Sequence, residues 1–177
     1  MKTSIKSLIA LTLTTLALTT ATVNVKAAEA NQVTVLSQVK KVNKISVSGN
    51  VELILVQSAD ESVKVYDSYF SKNALVQQKD GELRISSFNK ETLTVIAYVS
   101  NLSAITASDN ANIKTFGKFN ALSLDVTLTD QAKAVLNTNT VSMYAQLNDK
   151  SSLSLTGSTS DYNAVMGSVA SVNMSQF

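Results

Sequence analysis

The chain has 177 residues, with 15 Lys and Arg against 13 Asp and Glu, and neither His nor Cys. That composition excludes a His or Cys metal site, a thiol nucleophile, a Ser-His-Asp triad and any disulfide. The net charge of +2 belongs to the first thirty residues, which hold Lys2, Lys6, Lys26 and Glu29; the remainder is neutral and gives no electrostatic case for nucleic acid.

Residues 1–30 have the form of a signal peptide. Lys2 and Lys6 supply a basic start, Leu8 to Leu18 an apolar stretch, and the small residues that follow offer cleavage after Ala27 or Ala30. The apolar stretch is too short and too broken by Thr to span a bilayer, and no Cys follows it for a lipid anchor. An exported protein is therefore expected, in the periplasm, at the cell surface or in the medium, with residues 31–177 as a single domain.

Residues 31–42 are a lead-in of ambiguous pattern. Beyond them apolar and polar residues alternate with period two, the signature of half-buried strands. The runs are Ile45/Val47, Val51/Leu53/Leu55, Val63/Val65, Leu83/Ile85, Leu93/Val95/Ala97/Val99 and Leu122/Leu124/Val126/Leu128. Turn residues punctuate them at Ser48-Gly49-Asn50, Ala59-Asp60-Glu61, Asn89-Lys90 and Lys79-Asp80-Gly81, the last reading as a hairpin-like reversal. The expected class is all-β.

From about residue 101 to residue 177 the pattern repeats. Ile105, Ala107, Asp109, Ile113 and Thr115 recur after 21 residues as Val126, Leu128, Asp130, Ala134 and Leu136. A step of 19 gives Ala145, Leu147, Asp149, Leu153 and Leu155, and another gives Ala164, Met166, Ser168, Val172 and Met174. Gly117, Thr138 and Gly157 make a further turn column. Such a period predicts parallel β-helix or solenoid-like coils of about 20 residues, stacked so that aligned side chains form one core. The competing architecture is an antiparallel β-sandwich.

Ile45-Ser46-Val47-Ser48-Gly49-Asn50-Val51-Glu52-Leu53, a strand-ending Gln57, Ser62-Val63-Lys64-Val65 and Asp80-Gly81-Glu82-Leu83-Arg84-Ile85 occur in an order that resembles the head GIN domain family of auto-transporter-adhesin-like proteins. The resemblance covers about residues 38 to 177. It departs from the family at Ser58, where Gly is usual after Gln, and at Asp109, Asp130 and Asp149, which replace turn glycines. Asp tolerates positive φ better than most residues. The resemblance implies a right-handed β-solenoid-like fold outside the cytoplasm, a role in adhesion and no established catalytic site.

Three constellations are candidate sites. Asp109, Asp130 and Asp149 stack on successive repeats, where they either chelate Ca²⁺ with hard oxygen ligands or cap their own turns. Tyr66, Tyr69 and Phe70 form the densest aromatic cluster, a ligand-docking surface if exposed and a core cap if not. Asp125 with Asp109, or Glu52 with Asp67, are the carboxylate pairs open to a glycosidase mechanism. The sequence favours a non-enzymatic recognition or adhesion module at the cell envelope, bound to a surface glycan or protein. A carbohydrate-active enzyme on a small β-helix and an envelope scaffold or stress module are the alternatives. The last repeat carries Ala164, Met166, Val172 and Met174 with no charge after Asp161, so association through this C-terminal coil, as a homo-oligomer, is expected.

Overall fold

The computed structural model describes residues 33–66, 74–87 and 89–177. The expected signal peptide lies outside them, as do Asp67, Tyr69 and Phe70. No helix among the described residues is long and apolar enough to cross a membrane. The strands in chain order are β1 (Val33–Leu36), β2 (Lys44–Gly49), β3 (Val51–Gln57), β4 (Ser62–Tyr66), β5 (Ala74–Lys79), β6 (Glu82–Ser87), β7 (Leu93–Val99), β8 (Ala104–Ala107), β9 (Asn112–Phe116), β10 (Phe119–Leu128), β11 (Lys133–Leu147), β12 (Ser152–Met166) and β13 (Ser171–Gln176). The described residues are all-β, as the alternation requires.

One sheet takes in every strand, in the order β1-β4-β7-β3-β9-β11-β10-β8-β2-β6-β5, with β12 on β11 and β13 on β12. The long strand β11 explains how this sheet curls. Its start, Lys133–Val135, pairs with β9, while Thr138–Leu147 pairs with β10. One strand therefore belongs to two wings, and the apolar faces of both wings meet in a single core. The sheet is mixed rather than purely parallel, which corrects the simple β-helix expectation. The ladders β1/β4, β4/β7 and β5/β6 are antiparallel; the others are parallel, which an antiparallel sandwich could not be.

The repeat columns are neighbours in the sheet. Ile105, Val126, Ala145 and Ala164 pair in sequence across β8, β10, β11 and β12, and so do Ala107, Leu128, Leu147 and Met166. Ile113, Ala134, Leu153 and Val172 do the same in the other wing. Inner positions such as Val126, Leu128, Ala145 and Leu147 are fully buried. Each buried Leu side chain contributes roughly 1.5–3 kcal/mol through removal from water, and stacking at ~4.8 Å lets every row bury the one beneath.

Two expectations of register need correction. Gly117 does not share a column with Thr138, because Phe119 does. Gly117-Lys118 are two extra residues between β9 and β10, and they account for the step of 21 on one side of them and 19 on the other. Leu122, expected inside with Leu124, is 77% exposed. The alternation slips by one residue at Leu122–Ser123, where the pairing of β10 with β11 also skips a position. Gly157 does pair with Thr138, at φ 110°, so close that a Cβ would overlap the Thr138 carbonyl oxygen.

The chain is not threaded in simple succession. The row formed by β2 and β3 lies between the row of β6 and β7 and the row of β8 and β9. Strands β4 and β1 extend one wing beyond β7, and β5 extends the other beyond β6 through a hairpin whose Asp80 and Gly81 both take positive φ. Such a two-residue turn matches the twist of an antiparallel pair.

Candidate functional site

From β8 onward the rows turn from one wing to the other through four-residue turns. Ala111 N–H donates to Ser108 O, Ala132 N–H to Thr129 O and Ser151 N–H to Asn148 O, at 3.0–3.2 Å. The second turn residue is Asp109, Asp130 or Asp149, with φ of 59°, 58° and 55°. A turn with positive φ there normally takes Gly. The Asp side chain compensates by reaching back one row. Gly49 N–H donates to Asp109 Oδ2 at 2.9 Å, Asp109 N–H to Asp130 Oδ2 at 3.2 Å, and Asp130 N–H to Asp149 Oδ2 at 3.2 Å. Ser108 and Thr129 hydroxyls donate to the Oδ2 of Asp109 and Asp130. The column is thus a hydrogen-bonded ladder of carboxylate to backbone. Among the described residues no three His, Cys, Asp or Glu are grouped to hold a metal.

Of the other candidates, the described ones lie on separate strands. Tyr66 ends β4, half-buried between Val33 and Thr94. Glu52 forms an ion pair with Lys114 Nζ at 2.7 Å, and Asp125 sits in the outward column of Ala104 and Tyr144. Two glutamates are shifted downward, opposite to what a general acid needs. Arg84, hydrogen-bonded beside it, holds the Glu82 carboxyl below its usual range. At Glu61 burial pushes the carboxyl up, but bonds from the Ser100 hydroxyl and backbone and from the Val42 and Lys41 backbone outweigh it. Ser100 Oγ donates to Glu61 Oε1 at 2.6 Å and Val42 N–H to Oε2 at 3.3 Å. Glu61 therefore ties the lead-in before β2 to the loop after β7.

A groove lies at the corner where β10, β11 and β12 change direction. This groove of about 620 Å³ crosses three rows, with Asn120, Asn139 and Ser158 in one column, and Leu122, Val141 and Ser160 along its lip. Leu122 and Val141 are 77% and 54% exposed. Gln57 fixes the first rung: its amide accepts from Asn120 N–H at 2.9 Å and donates to Asn120 O at 2.8 Å. Ser158 Oγ donates to Asn139 Oδ1, and Thr140 Oγ1 to Thr159 Oγ1 at 2.9 Å. The groove thus offers amides and hydroxyls at row spacing beside an apolar strip. The sequence reading missed it, although a step of 19 from Asn120 to Asn139 was a usable signal.

The sequence pattern of the family described as "Putative auto-transporter adhesin, head GIN domain" matches residues 41–177. A comparison with curated proteins finds no match. Among solved structures the chain is similar to a putative adhesin from Parabacteroides distasonis, at 17% identity and a TM-score of 0.60, over 80% of this chain and 72% of that one. That likeness shows a shared fold. A putative adhesin from Parabacteroides merdae aligns at 11% identity and a TM-score of 0.42, over 80% and 95%. A putative cell adhesion protein from Clostridium sporogenes aligns at 8% and 0.40, over 80% and 96%.

Proposed function

The chain belongs to the head GIN domain family, and from that premise we propose that it is an exported, non-enzymatic recognition module whose ligand is a surface glycan. Its rows are read as coils of a short right-handed parallel solenoid, extended by antiparallel strands at one end. The observation that carries the proposal is the corner groove, where Asn120, Asn139 and Ser158 repeat at strand spacing beside exposed Leu122 and Val141. Amides and hydroxyls exchange hydrogen bonds with sugar hydroxyls, and an apolar strip suits the C–H face of a ring. A linear polysaccharide laid across the rows would meet similar groups at each step. The Tyr66, Tyr69 and Phe70 cluster remains a secondary docking surface in this reading.

Catalysis has no comparable support. His and Cys are absent from the sequence, Glu52 is held by Lys114, and the Oδ2 atoms of Asp109, Asp130 and Asp149 accept backbone N–H bonds. The test is retention on arrayed surface polysaccharides, comparing the protein with Asn120→Ala/Asn139→Ala and with Gln146→Ala on another face. We expect at least a tenfold loss for the groove variant and none for the control. Unchanged retention in the groove variant, with its fold intact, would move the site elsewhere.

A further inference from the structure

We propose that the corner groove selects neutral polysaccharides with an extended, β-(1→4)-linked type of backbone, and seats one sugar ring per row; this rests on the glycan-binding reading above and narrows it to one chemical class. The first argument is spacing. Asn120, Asn139 and Ser158 are direct neighbours in the β10/β11 and β11/β12 ladders, so a polar rung recurs every ~4.8 Å. That step is close to the advance of one ring along an extended hexose chain joined through equatorial bonds. An axially linked α chain coils, and carries its rings out of step with the rungs. Beside the rungs, Leu122 and Val141 are 77% and 54% exposed, and equatorially substituted rings present flat C–H faces to such a strip.

The second argument is the polarity of the rungs. Gln57 Nε2 donates to the Ser100 and Asn120 carbonyls at 3.2 and 2.8 Å, and its Oε1 accepts from Asn120 N–H at 2.9 Å. Backbone groups therefore set which way this amide points. Its Oε1 also accepts from Asn120 Nδ2 at 3.1 Å, which leaves Oδ1 as the atom that Asn120 offers a ligand. On the next row Ser158 Oγ donates to Asn139 Oδ1, which leaves the Asn139 Nδ2 to donate. Acceptor and donor alternate along the groove. Sugar hydroxyls give and take hydrogen bonds and satisfy both rungs, whereas a carboxylate only accepts and satisfies one. Among the described residues no Lys or Arg lines the groove, and the exposed carboxylate of Asp161, next to Ser160 on the lip, repels an acidic chain.

Calorimetric titration of the protein with three groups of oligosaccharides separates linkage from charge. The first group is neutral and β-(1→4)-linked (cello-, manno- and chito-oligosaccharides), the second neutral and α-(1→4)-linked (malto-oligosaccharides), and the third acidic and β-(1→4)-linked (mannuronate oligomers). A member of the first group should bind at least tenfold more tightly than the other two groups. Its affinity should climb from disaccharide to trisaccharide and level off beyond the tetrasaccharide, because the groove crosses three rows. Asn139→Asp, a nearly isosteric change at an exposed position, removes the donor and should weaken that binding at least tenfold with the melting temperature unchanged. Malto-oligosaccharides or mannuronates bound as tightly, and lost in Asn120→Ala/Asn139→Ala, would overturn this inference and leave the groove as a glycan site. So would an undiminished Asn139→Asp variant, or silence in all three groups beside groove-dependent retention on other arrayed polysaccharides. Retention on no glycan that depends on the groove would overturn both readings.

Discussion

Asp130 is the middle rung of the turn ladder, and replacing it separates the two physical jobs that an Asp does there. Its backbone sits at φ 58°, its Oδ2 accepts from Asp109 N–H at 3.2 Å and Thr129 Oγ1 at 3.0 Å, and its own N–H donates to Asp149. Asp130→Ala loses the acceptor, worth about 0.5–1 kcal/mol at an exposed site, and puts a Cβ-bearing residue without local compensation at positive φ for about 1 kcal/mol more. The total is about 2 kcal/mol, or roughly 6 °C in Tm for a domain of this size. Asp130→Gly loses only the acceptor and should cost under about 1 kcal/mol. Asp130→Asn keeps both the acceptor and the tolerance of positive φ and should fall within about 0.5 kcal/mol of the parent. Thermal unfolding with and without millimolar Ca²⁺ tests the order Ala, Gly, Asn, and the added ion should leave all midpoints in place. A saturable rise with Ca²⁺ that vanishes in Asp130→Asn would refute the capping argument, since only a ligand of the folded state stabilises in that way. So would an Asn variant as unstable as the Ala variant.

Two neighbours on β11 report the register. Leu147→Asp places a charge at a fully buried position between Leu128 and Met166 and should cost about 4 kcal/mol or more. Gln146→Asp, in the outward column of Thr127 and Val165, should stay within about 0.5 kcal/mol, and equal urea midpoints for the two would contradict the pairing. Glu61, whose folded pKa lies below the ordinary 4.5, contributes stability above that value that is lost as the pH falls through its folded pKa. Glu61→Gln should therefore cost about 1–2 kcal/mol at neutral pH and progressively less in acid; parallel pH profiles of the urea midpoint for parent and variant would count against it.

Much of the architecture could be read from local pattern because each row encodes its own inward face. Period-two alternation placed Val126, Leu128, Ala145 and Leu147 correctly, and the recurring Asp marked the turns, since few other residues accept that backbone. What alternation does not encode is which strand lies beside which. Nothing in residues 44–57 marks them as the row between residues 82–99 and 104–116, and nothing in Val63/Val65 marks β4 as antiparallel to β7. Leu122 was misplaced for a related reason: it stays in phase with Leu124 on paper, but a one-residue slip at the corner turns it out to solvent. The groove was hidden by its composition, because Asn, Ser and Thr look alike on every outward face until the register aligns Asn120 with Asn139.

The threading of the rows also decides where this architecture can lengthen. The row of residues 44–57 is locked between two others, so a new row at that end would have to be woven through existing ladders. From β11 to β12 the rows follow one another at a step of 19 residues throughout, and duplicating residues 148–166 would insert a rung between β12 and β13 while the ladders up to β11/β12 stay as they are. Every such rung would carry one more polar position into the groove and one more unit of reach for a linear ligand. The protein is in this sense a ruler that can be extended from one side, with its measuring length written in copy number rather than in new side chains.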